Sequence, residues 1–214
     1  MRAITNSFLS ERTGIPHTKI RRWAKEFLPP DPRAGLRSGF TKEYSLNDSF
    51  LIYLGGHLVS ELKFEVYEAR RILQDLKSWL VESGQLPEPE GFVLSGEHSL
   101  RIIKYEILIV PGRRLGNFEY RVKGEIQTRW QPRQDIGRGK MIVDKKYLEY
   151  PLHPEMGLYV HAMAVSPNPG SNKSMTITLL LDSFMDKIFS EEPGAYENWK
   201  TARISKGIPT SRKA

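Results

Sequence analysis

The chain has 214 residues, room for one large domain or two small ones, and its 39% hydrophobic and 27% charged residues are the balance of a folded protein. It has no cysteine, which excludes disulfides, zinc ribbons, thiol nucleophiles and thiolate metal sensing, and its apolar runs, such as 107–110 and 179–181, are far below the roughly 18 residues that span a bilayer. The net charge of +7 is unevenly spread: residues 1–47 hold nine Lys/Arg against four Asp/Glu, residues 200–214 five against none, and the rest 18 against 21, the distribution of a protein that meets a polyanion at its ends.

Taken in order, the N-terminus carries Arg2 but no apolar signal core, so a cytoplasmic protein without an export signal or membrane span is expected. Residues 5–12 read as a short helix with Thr5 or Asn6 as N-cap and with Phe8 and Leu9 turned inward. Thr13-Gly14 stops it, because glycine takes the left-handed conformation of a tight exit. Ile15 is placed to fill the corner, and Pro16 suits the start of a second helix, where a missing amide hydrogen leaves nothing unsatisfied.

That second helix, 17–27, puts Ile20, Trp23, Ala24 and Phe27 in one arc and Thr18, Arg22 and Lys25 opposite, with Arg21 and Lys19 on the flanks. Such a face fits a DNA major groove, where guanidinium groups pair with guanine edges or phosphates; the wheel by itself also fits an ordinary solvated helix. Leu28-Pro29-Pro30-Asp31-Pro32 cannot stay helical. Residues 33–44 then look like a small hairpin with Gly35 and Gly39 at its bends and Arg33, Arg37 and Lys42 as its basic groups, and Ser45 caps a further helix carrying Phe50, Leu51, Leu54 and Leu58, weakened by Gly55-Gly56.

Residues 4 to about 76 resemble the winged helix-turn-helix of MerR-type transcription regulators. The family's Thr-Gly-Val turn, its Thr-Ile-Arg step with aromatics and its Leu-Leu-x-Pro exit are similar to Thr13-Gly14-Ile15, Lys19-Ile20-Arg21 with Trp23, and Phe27-Leu28-Pro29-Pro30; its wing is echoed by Gly39-Phe40 and Tyr44. Asn6 and Arg22 depart from the pattern, and the wing is one residue longer than usual. The resemblance implies a second helix at double-stranded DNA and places Arg21, and by position Thr18 and Arg22, there; the wheel adds Lys19 and Lys25 as candidates on the same helix, and the basic groups Arg33, Arg37 and Lys42 are candidates for flanking phosphates. It also implies a dimer and a sensing domain, hence a small-molecule effector as a candidate partner.

A long helix follows over 64–83, whose broad stripe of Phe64, Val66, Tyr67, Ala69, Arg70, Ile72, Leu73, Leu76 and Leu80, with Trp79 beside it, suits either a dimer seam or packing on its own module. Residues 84–91 read as a linker. Beyond it the period becomes two: 118–130 alternates Phe118, Tyr120, Val122, Ile126, Thr128 and Trp130 with charged and polar residues, pairing with 100–110 through the turn at 111–117. Further strands are expected at 140–143, 158–165 and 174–181, with a loop at 166–173, a short helix at 182–189 and a basic tail over 191–214. The expected fold is α+β, with a winged helix-turn-helix over 1–83 and a mainly antiparallel β domain over 92–190.

No site for chemistry stands out. His98, His153 and His161 lack metal-ligand spacing, Gly137-Arg138-Gly139-Lys140 lacks the positions that define a phosphate loop, and Tyr105, Phe118, Tyr120, Trp130 and Tyr159 suit either an apolar pocket or a core. The expectation is a DNA-binding transcription regulator that is not an enzyme and needs neither cofactor nor metal. The alternative is a phage-type packaging or recombination accessory protein, like a small terminase subunit or an excisionase, using the same winged module.

Overall fold

The computed structural model describes residues 3–30, 42–88, 102–112, 117–130, 142–152 and 173–205. Helices come first, and an antiparallel sheet with two further helices follows. The first strand, β1 (Ile4–Thr5), leads straight into α1 (Asn6–Thr13), where the Thr5 hydroxyl accepts from the Phe8 amide at 3.2 Å. Gly14, at φ 72°, ends α1 in the left-handed region, and its amide donates back to the Ser10 carbonyl at 3.0 Å. Three residues on, α2 (His17–Phe27) starts from Pro16, whose carbonyl accepts from the Lys19 and Ile20 amides.

A short strand, β2 (Glu43–Tyr44), pairs antiparallel with β1, and the Tyr44 hydroxyl donates to Asn6 Oδ1 at 2.9 Å. Ser45 then caps α3 (Leu46–Ser60) by accepting from the Asp48 amide at 3.0 Å. A reciprocal box between Glu65 and Glu68 opens α4 (Val66–Glu82). The apolar stripe of α4 is consumed within the chain: Ala69, Ile72, Leu76 and Leu80 are fully buried and Trp79 nearly so, while Tyr67 stands exposed.

The sheet consists of β3 (Ile102–Pro111), β4 (Phe118–Trp130), β5 (Ile142–Leu152) and β6 (Lys173–Thr176) in the order β5-β4-β3-β6, every neighbour antiparallel. Alternation along β4 sends Tyr120 and Val122 into the core and leaves Glu119 and Lys123 exposed. Three expected aromatics meet the helical half: Tyr105 packs edge-on against Trp79 of α4 at 5.3 Å, Phe118 against Phe64 just ahead of α4 at 5.7 Å, and Tyr120 donates to Asp75 on α4 at 2.7 Å. Buried residues of the helical and sheet halves therefore form one continuous core.

Three elements differ from the sequence reading. The strand expected over 174–181 stops at Thr176, and α5 (Ile177–Ile188) begins there, because Ile177, Leu181, Phe184, Met185 and Ile188 share a helical face that is buried. The strand expected at 140–143 runs on to Leu152, held by continuous pairing of β5 with β4. In the expected linker, residues 84–87 are buried, and within the expected basic tail α6 (Pro193–Ser205) packs over them: the Trp199 indole N–H donates to the Pro87 carbonyl at 2.8 Å and the Arg203 guanidinium to the Leu86 and Gly84 carbonyls. The expected strand at 158–165, residues 137–140, Tyr159, His98, His153 and His161 lie outside the described residues, as does the Trp130 side chain.

Candidate nucleic-acid interface

What orients α2 is a set of contacts on its inner side. Ile20, Trp23 and Ala24 are buried, each large side chain contributing roughly 1.5–3 kcal/mol by leaving water, and Phe27 packs beside them. Trp23 lies against Gly56 and Phe27 against Gly55, two successive positions of α3 where a side chain would obstruct the approach. The α1–α2 corner is tied by the Ser10 hydroxyl donating to the Ile15 carbonyl at 2.7 Å and the Thr13 hydroxyl to the Leu9 carbonyl at 2.6 Å. At the far end, Arg70 of α4 grips the last turn, its Nε donating to the Glu26 carbonyl at 2.7 Å and its guanidinium pairing with the Glu26 carboxylate.

With the inner side fixed, Thr18, Lys19, Arg21, Arg22 and Lys25 are all exposed on α2. Among the described residues, none of these four cations forms an ion pair. Other cations behave differently: Arg12 pairs with Glu191 beyond α5 and Arg70 with Glu26 of α2, while Arg71 pairs with Asp75 within α4. Lys19, Arg22 and Lys25 follow one another at spacings of three, and Arg21 precedes Lys25 by four. Like charges at those spacings destabilise a helix by about 0.2–0.5 kcal/mol per pair. A polyanion laid along this face removes that repulsion.

Comparison with family models, with curated proteins and with solved structures gives no match to this chain. The chemistry of the face must therefore speak for itself. It offers two guanidinium forks, two ammonium groups and a hydroxyl, the donors that suit phosphate oxygens and the acceptor edge of guanine.

Of the remaining residues singled out in the sequence, Lys42 is half-buried with its ammonium 5.5 Å from the centre of the Tyr44 ring, just ahead of β2. Arg33 and Arg37 lie outside the described residues. No cluster of metal-ligating side chains occurs among the described residues, and no described helix is long and apolar enough to cross a membrane. The residue that sequence reasoning placed wrongly is Arg70, counted in the apolar stripe of the long helix. It is exposed, and its guanidinium holds the last turn of α2 through Glu26, a role that needed the pairing partner to be visible.

Proposed function

We propose that this chain is a sequence-specific DNA-binding transcription regulator, with α1 and α2 forming a helix-turn-helix of the MerR-like winged kind and α2 entering the major groove of double-stranded DNA. The observation that carries it is the exposed basic face of α2, without ion pairs among the described residues, held by a buried opposite face and by Arg70 at its end. In this reading Thr18 and Arg22 read base edges, Arg21 and Lys25 meet the backbone, and Lys42 with the wing's Arg33 and Arg37 holds flanking phosphates. A homodimer on a near-palindrome is the form this takes, with the sheet half serving dimerisation or effector sensing.

Selection of bound DNA from a random pool, followed by titration of the winning sequence, tests the assignment. The expected result is a palindromic consensus and an affinity that falls steeply with salt, by a log–log slope of about −0.9 for each phosphate neutralised. Replacing Arg22 with Ala relaxes base preference at one position of each half-site, whereas Lys42→Ala weakens all DNAs alike and makes the salt slope shallower by about one. Unchanged DNA affinity in the Arg21→Ala/Arg22→Ala double variant would sink the proposal.

A further inference from the structure

We infer that the groove between α2, the start of α3 and the middle of α4 is a binding site for a small amphipathic organic anion, a carboxylate on an apolar body, and that its occupant acts on α2. The groove has a volume of about 770 Å³, within the ~300–1,000 Å³ of small-molecule sites. Its floor is apolar, formed by Leu51, Leu73, Leu80 and Leu86, and the last turn of α2 with Pro29 and Pro30 makes one wall.

The charges on its rim select the ligand's sign. Five charged residues line it, Lys25, Glu26, Asp48, Arg70 and Lys77, and two of them, Glu26 and Arg70, neutralise each other. Asp48 lies in the first turn of α3, where the partial positive charge of the helix N-terminus offsets it. Lys25 and Lys77 remain, both exposed and neither with an ion-pair partner among the described residues. A neutral ligand leaves these two ammonium groups unused and a cation is repelled by them. A carboxylate satisfies them while its apolar part covers the leucines.

Lys25 belongs both to this rim and to the outward face of α2. An anion held there withdraws positive charge from the set offered to DNA and bridges α2 to α4, so occupancy weakens DNA binding. That second step rests on the DNA-binding reading above; ligand binding itself does not.

The test is calorimetry of the full chain with decanoate, against decan-1-ol and decyltrimethylammonium. Expected are 1:1 saturable binding of decanoate, at least tenfold weaker binding of the alcohol, no binding of the cation, and at least fivefold loss of decanoate affinity in Lys77→Gln with unchanged circular dichroism. Absence of saturable decanoate binding overturns the inference, including the case where the groove receives a protein segment instead. So does equal binding of acid and alcohol, or an unchanged Lys77→Gln. In a parallel arm, decanoate at a concentration that half-saturates the natural chain raises the dissociation constant of the selected DNA there and raises it less in Lys77→Gln. Decanoate binding without any DNA binding would remove the proposed function and keep the site; DNA binding without decanoate binding would do the reverse.

Discussion

Trp23 lies so close over Gly56 that a β-carbon built on the glycine would fall 2.3 Å from the indole ring. The approach of α2 to α3 is thus set by a missing side chain on one helix and the largest side chain on the other. Glycine in a helix costs about 1 kcal/mol relative to alanine, so Gly56→Ala would stabilise an isolated α3. In the folded chain the added methyl must displace a buried ring, and overpacking of this kind costs roughly 1–3 kcal/mol. The expected outcome is a net loss of up to about 2 kcal/mol in urea unfolding, which disappears or changes sign when Gly56→Ala is made in a Trp23→Ala background. An equal effect in both backgrounds would show that the ring is not what the methyl meets.

Lys63 has φ 56°, the left-handed region, just beyond the end of α3. The backbone there needs that conformation, since it brings the Phe64 amide back to the Leu58 carbonyl at 3.0 Å. A residue with a β-carbon adopts it at a cost of roughly 1–2 kcal/mol, and glycine without that penalty. Lys63→Gly is therefore expected to stabilise the chain by up to about 1 kcal/mol in thermal unfolding, and Lys63→Val to destabilise it by at least as much. The lysine contributes a bond from its ammonium to the Ser60 carbonyl, exposed and too weak to reverse the order.

Much of this arrangement was legible in the residues. The bounds of α2, the stop at Gly14, the Ser45 cap and the long β4 strand each follow from a local signal: helical period, left-handed glycine, hydroxyl cap or strict alternation. What escaped depended on partners distant in sequence. Thr176, Ile177 and Thr178 are good strand formers, but pairing with β3 stops at Thr176 and the chain turns helical there, burying Ile177, Leu181, Phe184 and Ile188 on one face. Asp144, Lys145 and Lys146 concealed most of β5, whose continuity comes from its register on β4. In α6 a narrow stripe of Tyr196, Trp199 and Arg203, three and four residues apart, was hidden in basic composition, and the carbonyls it covers lie more than a hundred residues earlier. The candidate α2 face itself could be read from the wheel; its lack of ion-pair partners among the described residues could not.

Tyr120 gives the chain an alkaline limit. Burial first, and then the hydrogen bond to the Asp75 carboxylate, push its phenol well above the usual value near 10. A group whose folded-state value is raised stabilises fully below its unfolded value, and that contribution is lost as pH climbs past about 10 toward the folded value. Tyr196 shifts in the same direction, mainly through burial and then Asp182. Arg203 opposes them: burial lowers it to about 10, so from that pH up to the usual guanidinium value the unfolded chain holds a proton the folded one has released, and stability rises. With two groups against one, stability measured by urea unfolding should fall above pH 10. Tyr120→Phe should cost about 1.5–3 kcal/mol at pH 7, by removing a bond to a charged group, and should make the alkaline slope shallower by up to about 1.4 kcal/mol per pH unit. An unchanged slope would place the alkaline sensitivity elsewhere.

Arg203 is 2% exposed, and its guanidinium supplies the hydrogen bonds that the Leu86 and Gly84 carbonyls accept, while its charge stacks over the Trp199 ring at 4.9 Å. Replacement of a buried charge by an apolar side chain of similar length is often harmless, because desolvation of the ion is relieved at the same time. Here two backbone carbonyls in a buried turn would lose their donor, and each orphaned group costs about 1–3 kcal/mol. The second effect outweighs the first, since both terminal nitrogens of Arg203 are spent on those carbonyls and an apolar side chain replaces neither bond. Arg203→Met is expected to destabilise the chain by about 2 kcal/mol or more and to speed hydrogen exchange at residues 84–87, with Trp199→Phe giving a smaller loss through the Pro87 carbonyl alone. Exchange unchanged at 84–87 in Arg203→Met would mean that this segment is held by the side of α4 and the sheet, and that α6 merely covers it.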